Sequence, residues 1–233
     1  MADTRAVLER LRGGLIVSVQ AEADSVLAAP ATIALLGRCA AANGAVGLRI
    51  EGAPNIAATR AAVDLPLIGI VKRRHVGFEP YITSTFAEIA EVAQARADIV
   101  AFDATRRARP DGHDAASLIA EIQRRGLLAM ADCADEADAA EAVAAGADIV
   151  ATTLAGYTPA THGRPLPALD LVSAFAVHPF VVCEGGISDP RQATTAFAAG
   201  AAAVVVGTAI TNVDALVRRF SNATPLSGNT RSV

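Results

Sequence analysis

Lysine is all but missing from this 233-residue sequence. Of its 20 basic residues, 19 are arginine and one, Lys72, is lysine. Paired cysteines are missing too. Cys39, Cys133 and Cys183 are odd in number, scattered and without CxxC spacing. That argues against a disulfide framework or a structural zinc site and fits a reducing compartment. The histidines His75, His113, His162 and His178 form no HxH or HxxxH pair, so a histidine-rich metal centre is not expected. A net charge of −4 leaves no basic field for nucleic acid. No apolar run approaches the ~18 residues of a membrane span. The opening "MADTRAVLERLRGG" mixes acid and base where a signal peptide would have an apolar core. The expected location is therefore the cytoplasm.

What is present is a regular alternation. Short apolar runs recur: "GLIVSVQ" (14–20), "AVGLRIEG" (45–52), "PLIGIVK" (66–72), "ADIVAFDA" (97–104), "LLAMADC" (127–133), "ADIVATTL" (147–154), "PFVVCEGG" (179–186) and "AAVVVGTA" (202–209). Each has the continuous character of a parallel strand covered on both faces. Alanine-rich amphipathic stretches lie between them, at 31–42, 86–95, 116–125, 135–146 and 190–200. Gly126, Gly146 and Gly200 stand where a left-handed residue would end a helix. Eight strands alternating with helices predict an α/β fold, a single (β/α)8 TIM barrel over residues 1–220. A doubly wound open sheet is the alternative, but its Gly-rich phosphate fingerprint does not follow the first run, which leads into "AEADSVLAAP". The polar stretch 221–233, "SNATPLSGNTRSV", reads as a frayed tail.

In such a barrel the active site sits at the C-terminal ends of the strands. The residues ending the eight runs are Gln20, Arg49, Lys72, Asp103, Asp132, Thr152 or Thr153, Glu184 and the Gly207–Thr208 pair. The opposite strand ends show no comparable mix of acid, base and amide. Parity groups Lys72 with Ile70 and Ile68, Glu184 with Val182, and Asp132 with Met130, without saying which face is inward. Gly185–Gly186 and Gly207–Thr208 follow the last two strands, the usual place of a barrel's phosphate site, where small residues admit a ligand to the backbone. Lys72 has its own logic. Arginine stays protonated, whereas a lysine amine can lose its proton when buried or set beside other cations. A lone lysine in an arginine-rich chain is thus a candidate proton acceptor or Schiff-base nucleophile. As a base near neutrality its pKa must fall by roughly three units, about 4 kcal/mol.

The stretches "GGLIVSVQA" (13–21), "GLRIEG" (47–52), "LPLIGIVKR" (65–73), "PYITST" (80–85), "DIVAFDATRRARPDG" (98–112), "LAMADCA" (128–134), "ADIVATTLAGYT" (147–158) and "CEGGISDPRQA" (183–193) occur in an order that resembles the N-acetylmannosamine-6-phosphate 2-epimerases of sialic-acid catabolism. The resemblance spans residues 12 to 220 or so. It implies a TIM barrel, usually a homodimer, that interconverts N-acetylmannosamine 6-phosphate and N-acetylglucosamine 6-phosphate with no metal and no nucleotide cofactor. It places the family's catalytic lysine on Lys72 and its catalytic glutamate on Glu184. Substrate contacts fall on Gln20, Arg49 and Asp132, and the phosphate amides on Gly185, Gly186, Gly207 and Thr208.

One departure stands out. The family commonly reads "AIT" followed by Arg, and here Asn212 follows. Either another arginine compensates, or phosphate affinity falls, or the substrate is a related or unphosphorylated amino sugar. The rivals from other classes are a metal-dependent pentose-phosphate epimerase, a Schiff-base aldolase and a non-catalytic sugar-phosphate sensor. The first would want histidine at the strand ends, which none of the eight carries. Retention of Lys72 and Glu184 together argues against the sensor.

Overall fold

The structure is a computed structural model that describes residues 4–22 and 24–225. Eight parallel strands close into a barrel in sequence order: β1 Leu15–Val19, β2 Gly47–Glu51, β3 Leu67–Ile70, β4 Ile99–Asp103, β5 Leu128–Asp132, β6 Ile149–Ala151, β7 Val181–Glu184 and β8 Ala203–Val206. The β1–β8 pairing completes the ring, so no edge is left to template association. The helices are α1 Thr4–Leu11, α2 Pro30–Ala42, α3 Ala53–Ala62, α4 Phe86–Gln94, α5 Ala115–Arg124, α6 Glu136–Ala144, α7 Leu169–Phe175, α8 Pro190–Ala198, α9 Thr208–Thr211 and α10 Val213–Ser221. Of the expected tail, residues 226–233 lie outside the described residues, and Ser221 still belongs to α10.

Local chemistry sets the helix starts. Asp114, Asp135 and Asp189 each accept a backbone N–H of the first turn, at 2.8, 2.9 and 2.7 Å respectively. Thr85 and Glu88 form a reciprocal capping box on α4. Gly126, Gly146 and Gly200 have φ of +76°, +88° and +106°, the left-handed conformation expected after a helix.

Strand parity separates two apolar layers. Val17, Leu48, Val100, Ala131, Val181 and Val204 face outward and pack under the helices. Ile16, Ile68, Ile70, Ile99, Met130, Ile149, Val182 and Val205 face inward and fill the barrel. Each fully buried Ile or Val contributes about 1.5–3 kcal/mol, so a slip by one residue would be costly all round the ring. The N-terminal mouth is plugged by α1, whose Val7 and Leu11 join the inner layer. A Cβ at Gly47 would lie 2.5 Å from Leu11 Cδ2, so glycine is what lets the plug seat. Arg12 closes the same end, 5.0 Å over the Phe180 ring. The opposite mouth is therefore the one open to ligand.

Candidate active site

Inward parity puts Ser18, Arg49, Lys72, Glu184 and Gly207 in the open mouth, directly above the isoleucine and valine layer. Together with Gln20, Tyr81, Thr153 and Gly185–Gly186 they line a cavity of 480 Å³, within the usual size of a small-molecule site. Parity is thereby resolved: the face that carries Ile68, Ile70 and Lys72 is the inner one.

Lys72 owes its place to an insertion between β3 and β4. Their pairing stops after two residue pairs. The chain then loops out and returns as Tyr81–Thr83, antiparallel to Val71–Arg73, with Lys72 opposite Ile82. Thr83 N–H donates to Val71 O at 2.8 Å, and Val71 N–H donates to Thr83 Oγ1 at 3.1 Å. Asp103 N–H donates to Ile82 O at 2.8 Å. Thr83 is fully buried with φ +42°, an unfavourable conformation for a β-branched residue. The two hydrogen bonds to Val71 hold that strain next to Lys72.

The floor of the cavity is a buried charge cluster. Arg49, 1% exposed, donates to Asp132 from Nη1 at 3.1 Å and from Nη2 at 2.6 Å. Its Nη1 also reaches Glu184 Oε2 at 2.8 Å. Thr153 Oγ1 donates to Asp132 Oδ1 at 2.7 Å and stands 3.2 Å from Glu184 Oε2. Two carboxylates thus share one guanidinium. Burial of Arg49 opposes its charge, but Asp132 and then Glu184 outweigh burial and keep it protonated. Since Asp132 already neutralises Arg49, an ionised Glu184 would add an uncompensated charge. Burial, more than the opposing Arg49 and with Asp132 reinforcing it, lifts the Glu184 carboxyl from 4.5 to about 7. Oε2 is taken by Arg49 and Thr153, so Oε1 is the oxygen left to face the cavity.

Lys72 moves the other way. Enclosure in the mouth, then the Arg49 charge, lower its pKa from 10.5, against the pull of Glu184, Glu51 and Asp132. Its side chain is still reached by water. A ligand filling the cavity would displace that water and strengthen the desolvation.

Not every strand-end candidate faces the cavity. Asp132 is fully buried and absent from the cavity wall, so it holds Arg49 rather than presenting an oxygen to a ligand. Asp103 is fully buried as well, occupied by Thr105 Oγ1 at 2.6 Å and Arg107 Nη2 at 2.7 Å. Arg109 ties down the same loop through the carbonyls of Asp103 and Thr105, at 2.6 and 2.8 Å. Arg106 pairs with Asp135 and Asp138. These three arginines fasten the loop after β4. Gln20 Nε2 donates to Ser18 Oγ at 2.7 Å, which leaves the buried Gln20 Oε1 without a partner at the cavity.

The glycine loops lie where expected, but part of their sequence has a packing reason. A Cβ at Gly186 would fall 2.3 Å from Leu166 Cβ, and its φ is +77°. Glycine is needed there with or without a ligand. Asn212 Oδ1 accepts Ala215 N–H at 2.9 Å and so caps α10. Tyr81, Thr153 and Arg219 also line the cavity. Thr153 was legible from parity with Ile149 and Ala151; Tyr81 and Arg219 sit on segments outside the eight strands. Among the described residues no group of three or more His, Cys, Asp or Glu side chains is placed to hold a metal, and no helix is long and apolar enough to cross a membrane.

The family model "Putative N-acetylmannosamine-6-phosphate epimerase" matches residues 33–225. A "Putative N-acetylmannosamine-6-phosphate 2-epimerase" of Thermosynechococcus vestitus is 46% identical over 224 residues, covering 95% of this chain and 96% of the relative. The "Bifunctional enzyme NanE/NanK" of Brucella suis is 46% identical over 218 residues, which are 93% of this chain and 41% of that longer protein. The solved structure of the N-acetylmannosamine-6-phosphate 2-epimerase from Clostridium perfringens matches with a TM-score of 0.89 at 34% identity, covering 93% of this chain and 96% of that one.

Proposed function

The chain belongs to the N-acetylmannosamine-6-phosphate epimerase family, and from that membership and the charge cluster in the barrel mouth we propose that it inverts C2 of an N-acylated hexosamine 6-phosphate. The substrate pair is N-acetylmannosamine 6-phosphate and N-acetylglucosamine 6-phosphate. The observation that carries the reading is one cavity holding two groups shifted in opposite directions, an amine pushed towards its neutral form and a carboxyl pushed towards its protonated form.

The chemistry follows from those two states. In the ring-opened sugar, the C2–H bond is acidified by the C1 aldehyde. Neutral Lys72 takes the C2 proton, and the electron pair moves through C1 onto O1. Protonated Glu184 donates through Oε1 to O1, so no full negative charge builds up on O1, and the carboxylate left on Glu184 is offset by Arg49 and the newly formed Lys72 ammonium. The planar C1–C2 unit then turns in the cavity, the Lys72 ammonium returns its proton to the opposite face of C2, and the O1 proton goes back to Glu184, giving the epimer. Both groups recover their starting states, so atoms and electrons balance without a further reactant. Arg49 and Thr153 fix Glu184 Oε2, which leaves its other oxygen oriented at the substrate. Gln20 Oε1 is an acceptor for a sugar hydroxyl or the acetamido N–H.

In this reading the loops at Gly185–Gly186 and Gly207–Thr208 receive the 6-phosphate at the far side of the cavity. Catalysis belongs to a single barrel, residues 1–220. The enzyme works as a cytoplasmic homodimer in amino-sugar catabolism and needs no metal or nucleotide. The test is proton NMR of the purified protein with N-acetylmannosamine 6-phosphate. Appearance of N-acetylglucosamine 6-phosphate supports the reading; a covalent adduct trapped by borohydride, with no epimer formed, would replace it with an aldolase.

A further inference from the structure

Among the described residues three cations line the cavity: Arg49, Lys72 and Arg219. Arg49 is committed to Asp132 and Glu184, and Lys72 stands at the reacting end. Arg219 is different. It is exposed, and among the described residues its side chain has no hydrogen bond or ion pair. Its neighbours are otherwise engaged: Arg218 pairs with Glu22, and Asp214 accepts from Ser25 Oγ at 2.6 Å.

The helix geometry explains why this arginine and not Arg218 meets the cavity. Asn212, Ala215, Leu216 and Arg219 recur every three to four residues along α10, one stripe on one face, and all four line the cavity. Val213, Val217 and Phe220 lie off that stripe and are exposed. The stripe begins at Asn212, where α10 follows the Gly207–Thr208 loop and α9. Asn212, at the head of the stripe, is neutral, and its side-chain oxygen is spent on the helix cap. A phosphate dianion bound there therefore has one uncommitted cation to meet.

We propose that Arg219 is the charged contact for the substrate's phosphate and the residue that discriminates phosphorylated from unphosphorylated amino sugar. The proposal rests on the epimerase reading above. A guanidinium matches two phosphate oxygens with two parallel donors. The contact is made to a part of the substrate that does not change during proton transfer, so it acts on binding and not on the chemical step.

The test compares Arg219→Ala, Arg219→Lys and Arg218→Ala on the 6-phosphate and on unphosphorylated N-acetylmannosamine, alongside calorimetric titration with inorganic phosphate. Arg219→Ala is expected to raise KM for the 6-phosphate by about 10- to 100-fold, the loss of one charge-assisted pair, with kcat nearly unchanged. KM for the unphosphorylated sugar should not move, and affinity for inorganic phosphate should fall with the first KM. Arg219→Lys should recover part of the loss, and Arg218→Ala should behave as wild type. Equal effects on both sugars, or an unchanged phosphate affinity in Arg219→Ala, overturn the proposal. Failure of the wild type to epimerise either sugar would instead sink the epimerase reading, while the phosphate titration still reads Arg219 on its own.

Discussion

Arg49 and Asp132 meet beneath the cavity through two parallel hydrogen bonds, 3.1 and 2.6 Å long, with neither side chain more than 1% exposed. Removing Arg49 strands Asp132, whose remaining side-chain partner is the Thr153 hydroxyl. Arg49→Met is expected to destabilise the fold by about 3–5 kcal/mol, measured by urea denaturation. A loss below about 1 kcal/mol would mean the pair is solvated in the native state.

The same pair tunes Glu184, whose carboxyl titrates at about 7 because of burial and because Asp132 adds a like charge. Neutralising Asp132 as asparagine should lower that pKa. Replacing Thr153 by valine should raise it, since the hydroxyl favours the ionised form. The activity profile against pH is expected to be bell-shaped, with one limb near 7 and the other set by the lowered pKa of Lys72. The limb near 7 moves to lower pH in Asp132→Asn and to higher pH in Thr153→Val. Movement of both variants in the same direction would show that another group sets that limb.

Glu184 also carries a stability signature. Its folded pKa lies above the unfolded value, so the unfolded chain gives up this proton first as pH rises from 4.5 to about 7. Stability drawn from this group is present below the unfolded value and is lost across that window. Glu184→Gln does not titrate. Its melting temperature relative to wild type should climb between pH 4.5 and 7 and level off above, read by thermal unfolding in a pH series. Activity should fall by about 10²–10⁴-fold, the usual range for a lost general acid.

The barrel was legible because its signal repeats eight times: apolar runs at strand length, separated by amphipathic stretches. The polar residues ending those runs were legible for the same reason, and Gln20, Arg49, Lys72 and Glu184 do share one cavity. The segment from Tyr157 to Pro167, with three Pro, two Thr and one Gly, has no period to read, and it hides α7 behind it. Asp132 ends β5 and Arg49 sits in the middle of β2, but only the closed ring shows that each consumes the other's charge. Gly186 looked like a ligand-binding glycine, and the packing of Leu166 supplies a second reason for it. Arg219 was hidden because its contribution depends on which face of α10 turns to the cavity, a tertiary fact.

The central claim is that Lys72 works as a neutral amine, and the most direct measurement is deuterium incorporation at C2 in heavy water, followed by NMR for wild type, Lys72→Ala and Lys72→Arg. Wild type should exchange the C2 hydrogen during epimerisation. Both variants should lose exchange by a similar factor, at least about 10²-fold, although arginine keeps the charge. Exchange by Lys72→Arg at a rate close to wild type would contradict the account.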